Sequence, residues 1–239
     1  MSLLRSVLFT TPLIALSTMV MDLISMVCSF FDRSGNSSHR VASVWGKMLM
    51  AVSFIRVRVE GLEKLDPQAN YVFVSNHSSF MDIPAVLSRL PYQFRFFAKK
   101  GLYRIPFLGW HLRWAGHLPV DRGNARASLK SMSEGANLIV RAHVSMLLFP
   151  EGGRSQPEQG LREFKEGAVY IAIKARVPIV PIALAGLRDL LPMGSGHIRS
   201  GTVTLRIGDP IPTAGLRISD REELTLRLHD EIARMLGTY

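Results

Sequence analysis

From residue 55 onward, short β-rich runs alternate with segments of helical pattern, and this alternation constrains the fold most strongly. We predict strands at residues 56–59, 71–75, 94–98, 116–120, 145–149, 179–183 and 202–207. We predict helices at residues 80–89, 107–114, 124–142, 166–175 and 221–236. Strands that alternate with helices of about ten or more residues are typical of an α/β sandwich. The sequence therefore predicts an α/β domain over residues 56–239.

The first 55 residues are different, because two apolar runs dominate them. Residues 7–31 form a long run interrupted by Pro12 and Asp22, and residues 41–55 form a shorter run that contains Lys47. A bilayer span needs roughly 20 apolar residues, so only the first run is long enough. A carboxylate at the bilayer midplane is costly. We predict that residues 1–55 form a two-helix hairpin that dips into one leaflet of a membrane; a single span and a buried helical pair in a soluble protein are alternatives.

The charge and cysteine content narrow the classes of function. The formal net charge is +10, and such an excess attracts phosphate groups in nucleic acids, lipid headgroups or small substrates. Most aromatic residues lie in apolar runs, as Phe94, Phe96 and Phe97 do, instead of alternating with basic residues on an exposed face. We therefore expect no nucleic-acid partner. The single cysteine, Cys28, excludes a disulfide within the chain and a cysteine-based zinc site, and we expect no metal.

The segment SNHSSFMD, residues 75–82, places a histidine and an aspartate directly after a predicted strand. If His77 lies in the turn and Asp82 in the first helical turn, the carboxylate can fix the imidazole tautomer while the other ring nitrogen accepts a proton. The alternative is that Asp82 only caps the helix, since Ser79 and Asp82 match a capping box. The chain lacks a Gly-x-Ser-x-Gly elbow and a Walker loop, so a histidine–aspartate dyad would act on a hydroxyl that the substrate brings.

Two further segments follow predicted strands. FPEGGRS, residues 149–155, offers Gly152 and Gly153 for close backbone approach to a ligand and Arg154 for phosphate binding. Lys99 and Lys100 follow the strand at residues 94–98. Ligands of α/β sheets bind at the carboxyl ends of the strands, so these side chains could share one site with His77. An ordinary turn and a solvated lysine pair are the alternatives.

In this order, the segments NHSSFMD, KKGLYRIPFLGW, FPEGGRS and VPIVPIAL resemble the four sequence blocks of the glycerolipid acyltransferases, above all the 1-acyl-sn-glycerol-3-phosphate (lysophosphatidate) acyltransferases. The resemblance implies a mixed sheet flanked by helices, with the N-terminal hairpin as the membrane anchor. By position it implies that His77 is the catalytic base and Asp82 its orienting partner. It implies substrate-site roles for Glu151, Gly152 and Gly153, and phosphate binding by Lys99 and Arg154; Pro178 and Pro181 resemble the prolines of the fourth block.

The resemblance also implies a reaction. An acyl chain would pass from an acyl thioester, carried by coenzyme A or acyl-carrier protein, to the sn-2 hydroxyl of 1-acyl-sn-glycerol 3-phosphate, giving phosphatidic acid at the cytoplasmic face of the membrane, with no cofactor besides the donor. The family usually has an acidic residue at Gly101 and a threonine at Gly153. The second departure raises the alternative of another lyso-lipid acceptor, such as a lyso-amino-acid lipid. A non-enzymatic lipid-binding protein and an acyl-ester hydrolase are further alternatives.

Overall fold

The computed structural model describes residues 2–121, 123–156 and 160–237, and it confirms the predicted α/β class. A seven-stranded mixed sheet has the order β1-β7-β6-β2-β5-β3-β4. Its strands are β1 (Ile55–Glu60), β2 (Val72–Ser75), β3 (Phe94–Lys99), β4 (Leu118–Val120), β5 (Ser145–Leu148), β6 (Ile179–Ala185) and β7 (Gly201–Ile207). All seven predicted strands are confirmed, with ends that differ by up to two residues.

The described helices include the five that the sequence predicts and several short ones that it does not. The longer helices are α2 (Thr11–Phe31), α3 (Asn36–Val52), α4 (Asp82–Arg89), α5 (Leu108–Trp114), α6 (Ala125–Ala142), α7 (Gly167–Ala175) and α9 (Arg221–Leu236). The short ones are α1 (Ser2–Arg5) and α8 (Leu187–Leu190), with 3-10 turns at Leu62–Lys64, Lys100–Arg104 and Ile218–Asp220.

Strands β6, β2, β5, β3 and β4 run parallel, so their carboxyl ends meet at one edge of the sheet. β7 is antiparallel to β6, and β1 pairs parallel with β7 at the far side. This edge positions the three segments singled out above: His77 follows β2, Glu151 follows β5 and Lys99 ends β3.

The sheet is buried on both faces, and the side chains of β2 show why its first three residues are all apolar. Phe73 packs into the cluster formed with α3 and α4, whereas Val72 and Val74 pack into the cluster formed with α6, α7 and α9. A central parallel strand covered on both sides reads as a continuous apolar run. The fold is therefore a sheet between two helical layers, and α2 lies outside this sandwich against α3 and α5.

The N-terminal apolar run forms one long helix followed by a turn and α3, which gives the two helices predicted for residues 1–55. Pro12 does not break this helix, because a π-helical turn over Ser6–Thr10 precedes α2 and shifts the hydrogen-bond register: the N–H of Thr11 bonds to the carbonyl of Ser6. A wider turn accommodates the backbone carbonyl that a proline ring would otherwise meet. The helix over Leu3–Phe31 is long and apolar enough to cross a membrane, and most of it is exposed.

Polar contacts attach this hairpin to the α/β domain. Asp22 lies with its carboxylate 4.0 Å from His111 Nδ1, and Ser25 Oγ is 2.8 Å from the same nitrogen, so the aspartate faces the α/β domain. The fully buried guanidinium of Arg95 donates to the carbonyl of Ser34 over 3.1 Å and to Asn36 Oδ1 over 2.8 Å. The turn between α2 and α3 is thereby bonded to strand β3.

Candidate active site

The loop after β2 brings His77 and Asp82 together. His77 Nδ1 is 2.7 Å from Asp82 Oδ2, and the aspartate is fully buried while the histidine is nearly so. Phe149 stacks on the imidazole, with ring centroids 4.2 Å apart, and fixes the plane of the ring. Among the described residues, Nε2 of His77 has no hydrogen-bond partner. The pair thus presents one imidazole nitrogen that is oriented by a carboxylate and one that is available to a ligand.

Asp82 also holds the loop that carries His77. Its Oδ2 accepts the backbone N–H groups of Ser78 over 2.7 Å and of Ser79 over 2.8 Å. The bond from Ser79 N–H is one half of the predicted capping box; the hydroxyl of Ser79 instead accepts from the N–H of Met81 over 3.3 Å. Because α4 begins at Asp82, with Met81 as its N-cap and no side-chain cap bond, the predicted capping box does not form, and the Asp82 oxygen instead joins the loop to the histidine.

The backbone of His77 is held on both sides by the segment after β5. Glu151 Oε1 accepts its N–H over 2.6 Å, and Ser155 donates its own N–H to the His77 carbonyl over 2.9 Å. The other Glu151 oxygen accepts the N–H of Arg162 over 3.2 Å. Both oxygens of Glu151 thus bond to the chain itself, and its predicted substrate-site role stays a prediction. The observed contacts make Glu151 a residue that positions His77.

The electrostatics of Glu151 follow from its burial. Burial raises the pKa of this carboxyl above its ordinary 4.5, and the two backbone N–H donors act in the opposite direction. The charged form of Glu151 is thus held in place by hydrogen bonds against an unfavourable environment. Buried carboxyls with shifted pKa values are common at functional sites.

Arg154 lies across the same loop. Its Nε donates to the carbonyl of Ser79 over 3.3 Å, and its guanidinium carbon is 3.8 Å from the ring centre of Phe80. Stacking on an aromatic face orients the planar guanidinium beside the loop of His77. The structure therefore brings four of the predicted site residues together, namely His77, Asp82, Glu151 and Arg154.

Other predicted site residues are placed differently. Lys99 ends β3, which β5 separates from β2, and its side chain is exposed; in the described residues no bond joins it to His77 or Arg154. Gly152 has φ of 73°, in the region that glycine tolerates, and Gly153 follows it in the turn. An added β-carbon at Gly101 would meet nothing within 4 Å, so the acidic residue usual at this position would fit there.

Lys165 is a residue at this edge that the sequence interpretation missed. Its N–H bonds to the carbonyl of Pro150 over 3.0 Å, and its Nζ lies so near Gly152 that a β-carbon built there would be 3.2 Å away. Within the described residues its ammonium forms no hydrogen bond or ion pair. The lysine lies at the end of the long polar loop after β5. The length of that loop was the sequence feature that could have pointed to a functional residue here.

Arg188 and Ser155 were missed as well. Arg188 follows β6 and donates from Nη2 to Ser155 Oγ over 2.6 Å, and that hydroxyl is 3.4 Å from the His77 carbonyl. Ser155 belongs to the segment FPEGGRS, but a serine in a polar loop gives no signal of this contact. No cluster of three potential metal ligands occurs in the part of the chain that the structure describes.

The fold and this site define a class of protein: an α/β enzyme with a histidine–aspartate pair at the carboxyl edge of its sheet. Comparison with known proteins gives the family. The sequence model of the acyltransferase family matches residues 56–185, just over half of the 239-residue chain, and the chain belongs to this family.

Several curated relatives are named 1-acyl-sn-glycerol-3-phosphate acyltransferases. The chain is 36 % identical over 175 residues to the chloroplastic 1-acyl-sn-glycerol-3-phosphate acyltransferase LPAT1 of Arabidopsis thaliana, which covers 72 % of this chain and 48 % of the relative. It is 33 % identical over 184 residues to 1-acyl-sn-glycerol-3-phosphate acyltransferase alpha of Bos taurus, covering 76 % and 64 %. The chain spans about half the length of the chloroplastic plant relatives that it matches.

A solved structure is also similar. The crystal structure of the 1-acyl-sn-glycerophosphate (LPA) acyltransferase PlsC from Thermotoga maritima matches with a TM-score of 0.82 and 27 % identity. The match covers 100 % of this chain and 97 % of that chain. The similarity therefore extends over the N-terminal helices as well as the α/β domain, and the predicted fold class is confirmed.

Proposed function

We propose that the chain transfers an acyl chain from an acyl thioester to the sn-2 hydroxyl of 1-acyl-sn-glycerol 3-phosphate and so forms phosphatidic acid. The observation that carries this proposal is the 2.7 Å contact between His77 Nδ1 and Asp82 Oδ2, which leaves Nε2 without a partner among the described residues. The names of the relatives support the choice of lysophosphatidate as the acceptor.

In the proposed reaction, Nε2 of His77 takes the proton of the acceptor hydroxyl as the oxygen attacks the thioester carbonyl carbon. A tetrahedral oxyanion forms and then collapses, the carbon–sulfur bond breaks, and the thiolate takes the proton from the imidazolium. The products are phosphatidic acid and the free thiol. Asp82 keeps Nδ1 protonated and stabilises the imidazolium that forms, and Glu151 keeps the backbone of His77 in place.

The substrates are recognised through their charges. We propose that Arg154 and Lys99 bind the acceptor phosphate at the carboxyl edge of the sheet, and that Gly152 and Gly153 let the backbone approach the substrate. The acyl donor is acyl-CoA or acyl-carrier protein. The reaction as written moves one proton and one acyl group, so it uses no metal and no cofactor besides the donor.

The N-terminal helices bear on where in the cell the enzyme acts. We propose that residues 1–55 anchor the chain at the cytoplasmic face of the cell membrane, where its lipid acceptor lies, and that residues 56–239 form the acyltransferase domain. The long exposed apolar helix over Leu3–Phe31 supports membrane association. In this proposal, membrane lipid surrounds the N-terminal helices and also supplies the acceptor.

One experiment tests the proposed function. The purified full chain is incubated with lysophosphatidate, an uncharged monoacylglycerol and a lyso-amino-acid lipid, each with acyl-CoA and with acyl-carrier protein donor, and the products are identified by mass. We expect phosphatidic acid from lysophosphatidate, competitive inhibition by inorganic phosphate against this acceptor, and at least about a hundredfold less product from the His77→Ala variant. Acylation of the lyso-amino-acid lipid alone, without phosphate inhibition, would replace lysophosphatidate by the alternative acceptor.

A further inference from the structure

The segment after β3 exposes an unusual number of apolar side chains. Leu102, Ile105, Phe107 and Trp110 fall within nine consecutive residues, and each is exposed by 36 % or more. Single exposed apolar residues are normal on protein surfaces, but a contiguous patch marks a contact surface. These four side chains are called the apolar edge below.

The inner side of this segment is held rigidly, so the apolar edge cannot fold inward. Arg113 donates to the carbonyl of Tyr103 over 2.8 Å and to that of Gly109 over 3.3 Å. The Tyr103 ring is buried, and the guanidinium carbon of Arg113 is 5.7 Å from its centre. A β-carbon on Gly109 would lie 2.4 Å from the Tyr103 oxygen, so the chain passes as closely as a glycine allows.

Phe107 has a backbone conformation that L-residues rarely adopt. Its φ is 63° and its ψ is −67°, and the N–H of Leu108 bonds to the carbonyl of Pro106 over 2.8 Å, which makes a γ-turn of the rare positive-φ form. Such a conformation costs of order 1–3 kcal/mol and persists where the surroundings hold it. The strain keeps an aromatic ring 44 % exposed, where a buried ring would have contributed to stability.

The apolar edge is continuous with the N-terminal helix. Ring centroids are 5.3 Å apart between Phe107 and Trp110, 6.3 Å between Trp110 and Trp114, and 6.5 Å between Trp114 and Phe30. Phe30 stands near the end of α2, whose exposed residues are apolar along its length. Arg104 lies exposed within the same segment. Aromatic and basic side chains together are typical of the bilayer interface with anionic lipid.

We propose that the apolar edge is a second membrane contact, which inserts Ile105, Phe107 and Trp110 into the headgroup region of a bilayer that contains anionic lipid. The inference rests on the membrane association proposed above for α2, whose exposed face it extends. Because the segment begins directly after Lys99 at the end of β3, this contact places the carboxyl edge of the sheet beside the lipid surface. An acceptor lipid would then reach His77 without leaving the interface completely.

Fluorescence of a single tryptophan tests insertion directly. The chain has three tryptophans, so Trp45→Phe and Trp114→Phe leave Trp110 as the reporter. The vesicles contain phosphatidylcholine and phosphatidylglycerol with brominated acyl chains, which quench only tryptophans that enter the bilayer. Two references use a tryptophan-free full chain with Val27→Trp on the exposed face of α2, or with Val140→Trp on α6 across the sheet.

We expect the fluorescence of Trp110 to be quenched roughly threefold or more strongly than that of the α6 reference, because an interfacial ring lies at the headgroup level. The degree of quenching should approach that of the α2 reference. Quenching of the α2 reference but not of Trp110 would overturn the second contact and leave the anchor intact. Absence of quenching at both would overturn the membrane association as well. None of these readouts depends on acyl transfer, so a failure of the proposed enzyme activity would be seen separately.

A second measurement changes two side chains of the apolar edge and keeps the contact between Trp114 and Phe30. Ile105→Gln with Trp110→Gln should lower the vesicle partition coefficient of the full chain by about tenfold, since two large apolar side chains leave the lipid. The matched pair Leu129→Gln with Val140→Gln removes two exposed apolar side chains from α6 and should leave partition unchanged. Unchanged partition of the edge variant, with a raised KM for acyl-carrier protein alone, would identify a protein docking surface instead and overturn the proposal.

Discussion

Glu151 holds the backbone of His77, with its Oε1 2.6 Å from the His77 nitrogen, although the two residues are 74 positions apart in the chain. The bond joins the loop after β2 to the loop after β5, and these strands are neighbours in the sheet. The imidazole is therefore positioned from two directions: by Asp82 at its ring and by Glu151 at its backbone. Substitutions at Glu151 and Asp82 separate these contributions.

Glu151→Gln should lower kcat by about ten- to a hundredfold with little change in the KM of either substrate, because the amide group would face the N–H of Arg162 and displace the loop of His77. Glu163→Gln, in the exposed part of the same loop, is the matched control and should behave as the wild type. Steady-state kinetics on both substrates provide the measurement. An increase confined to the acceptor KM would instead assign Glu151 to the substrate site.

The same variant should change the pH dependence of stability. Burial raises the pKa of Glu151, so the folded state keeps this proton to higher pH than the unfolded state does. Folding is then linked to proton uptake above the ordinary pKa of 4.5, and this residue's contribution to stability decreases as the pH rises through that range. The unfolding free energy of Glu151→Gln, measured relative to the wild type in urea, should therefore increase as the pH rises from 4.5 through the raised pKa of Glu151. A difference that is constant with pH would contradict the linkage.

His77→Ala should lose activity by about 10²- to 10⁴-fold or more, since without a base the acceptor hydroxyl is a poor nucleophile at neutral pH. Circular dichroism and vesicle binding should be unchanged, because the side chain is not part of either hydrophobic cluster. Asp82→Asn should also be impaired, since an amide can favour the wrong imidazole tautomer. Near-normal turnover of His77→Ala in a mass-spectrometric assay would exclude the base mechanism.

Arg154→Ala should raise the KM for lysophosphatidate by about ten- to a hundredfold and leave the thioester KM nearly constant, because charge-assisted bonds to phosphate are worth roughly 1.5–3 kcal/mol. Arg154→Lys should restore part of this, since an ammonium lacks the planar fork that stacks on Phe80. Inorganic phosphate should inhibit the Arg154→Ala variant weakly. If only the thioester KM rises, the arginine serves the donor.

Lys165→Gln should raise the KM for lysophosphatidate about three- to tenfold, a modest change because its ammonium is exposed beside Gly152. Lys174→Gln removes the same charge from α7 and is the matched control. The ratio of the acceptor KM of Lys165→Gln to that of Lys174→Gln is measured with lysophosphatidate and with an uncharged monoacylglycerol. The difference between the two ratios isolates the contribution of the acceptor phosphate. Equal effects on both acceptors would show that Lys165 acts on the loop and not on the phosphate.

Local pattern was sufficient to predict most of the fold. The first three residues of strand β2 are apolar, as expected of a strand that is covered on both faces. Asn124 is the N-cap of α6, and its side chain accepts the N–H of Ala127 over 2.9 Å. The continuous helix through Pro12 could not be predicted, since it depends on a π-turn that no local preference signals. The four-residue helix α8 is too short to show periodicity.

The candidate site was predictable only where sequence neighbours act together. His77 and Asp82 are five positions apart, so their contact follows from one turn and one helix start. The contacts of Glu151 with His77 and of Lys165 with Gly152 depend on which strands are adjacent and on the path of a long loop. Those are properties of the sheet order, and one sequence does not determine them by pattern alone.

Through its bonds to the buried guanidinium of Arg95, the N-terminal hairpin contributes to the stability of the α/β domain. Burial lowers the pKa of this group to about 10, so it remains charged at neutral pH. Two of its acceptors are the carbonyl of Ser34, in the turn between α2 and α3, and the side chain of Asn36, the first residue of α3. Gln93 and Phe94 accept from the other terminal nitrogen, so loss of the turn would leave Nη2 without its two acceptors from the hairpin, and an unpaired buried donor costs about 1–3 kcal/mol. Loss of the turn would therefore destabilise the α/β core itself, so the N-terminal helices are part of what stabilises the domain.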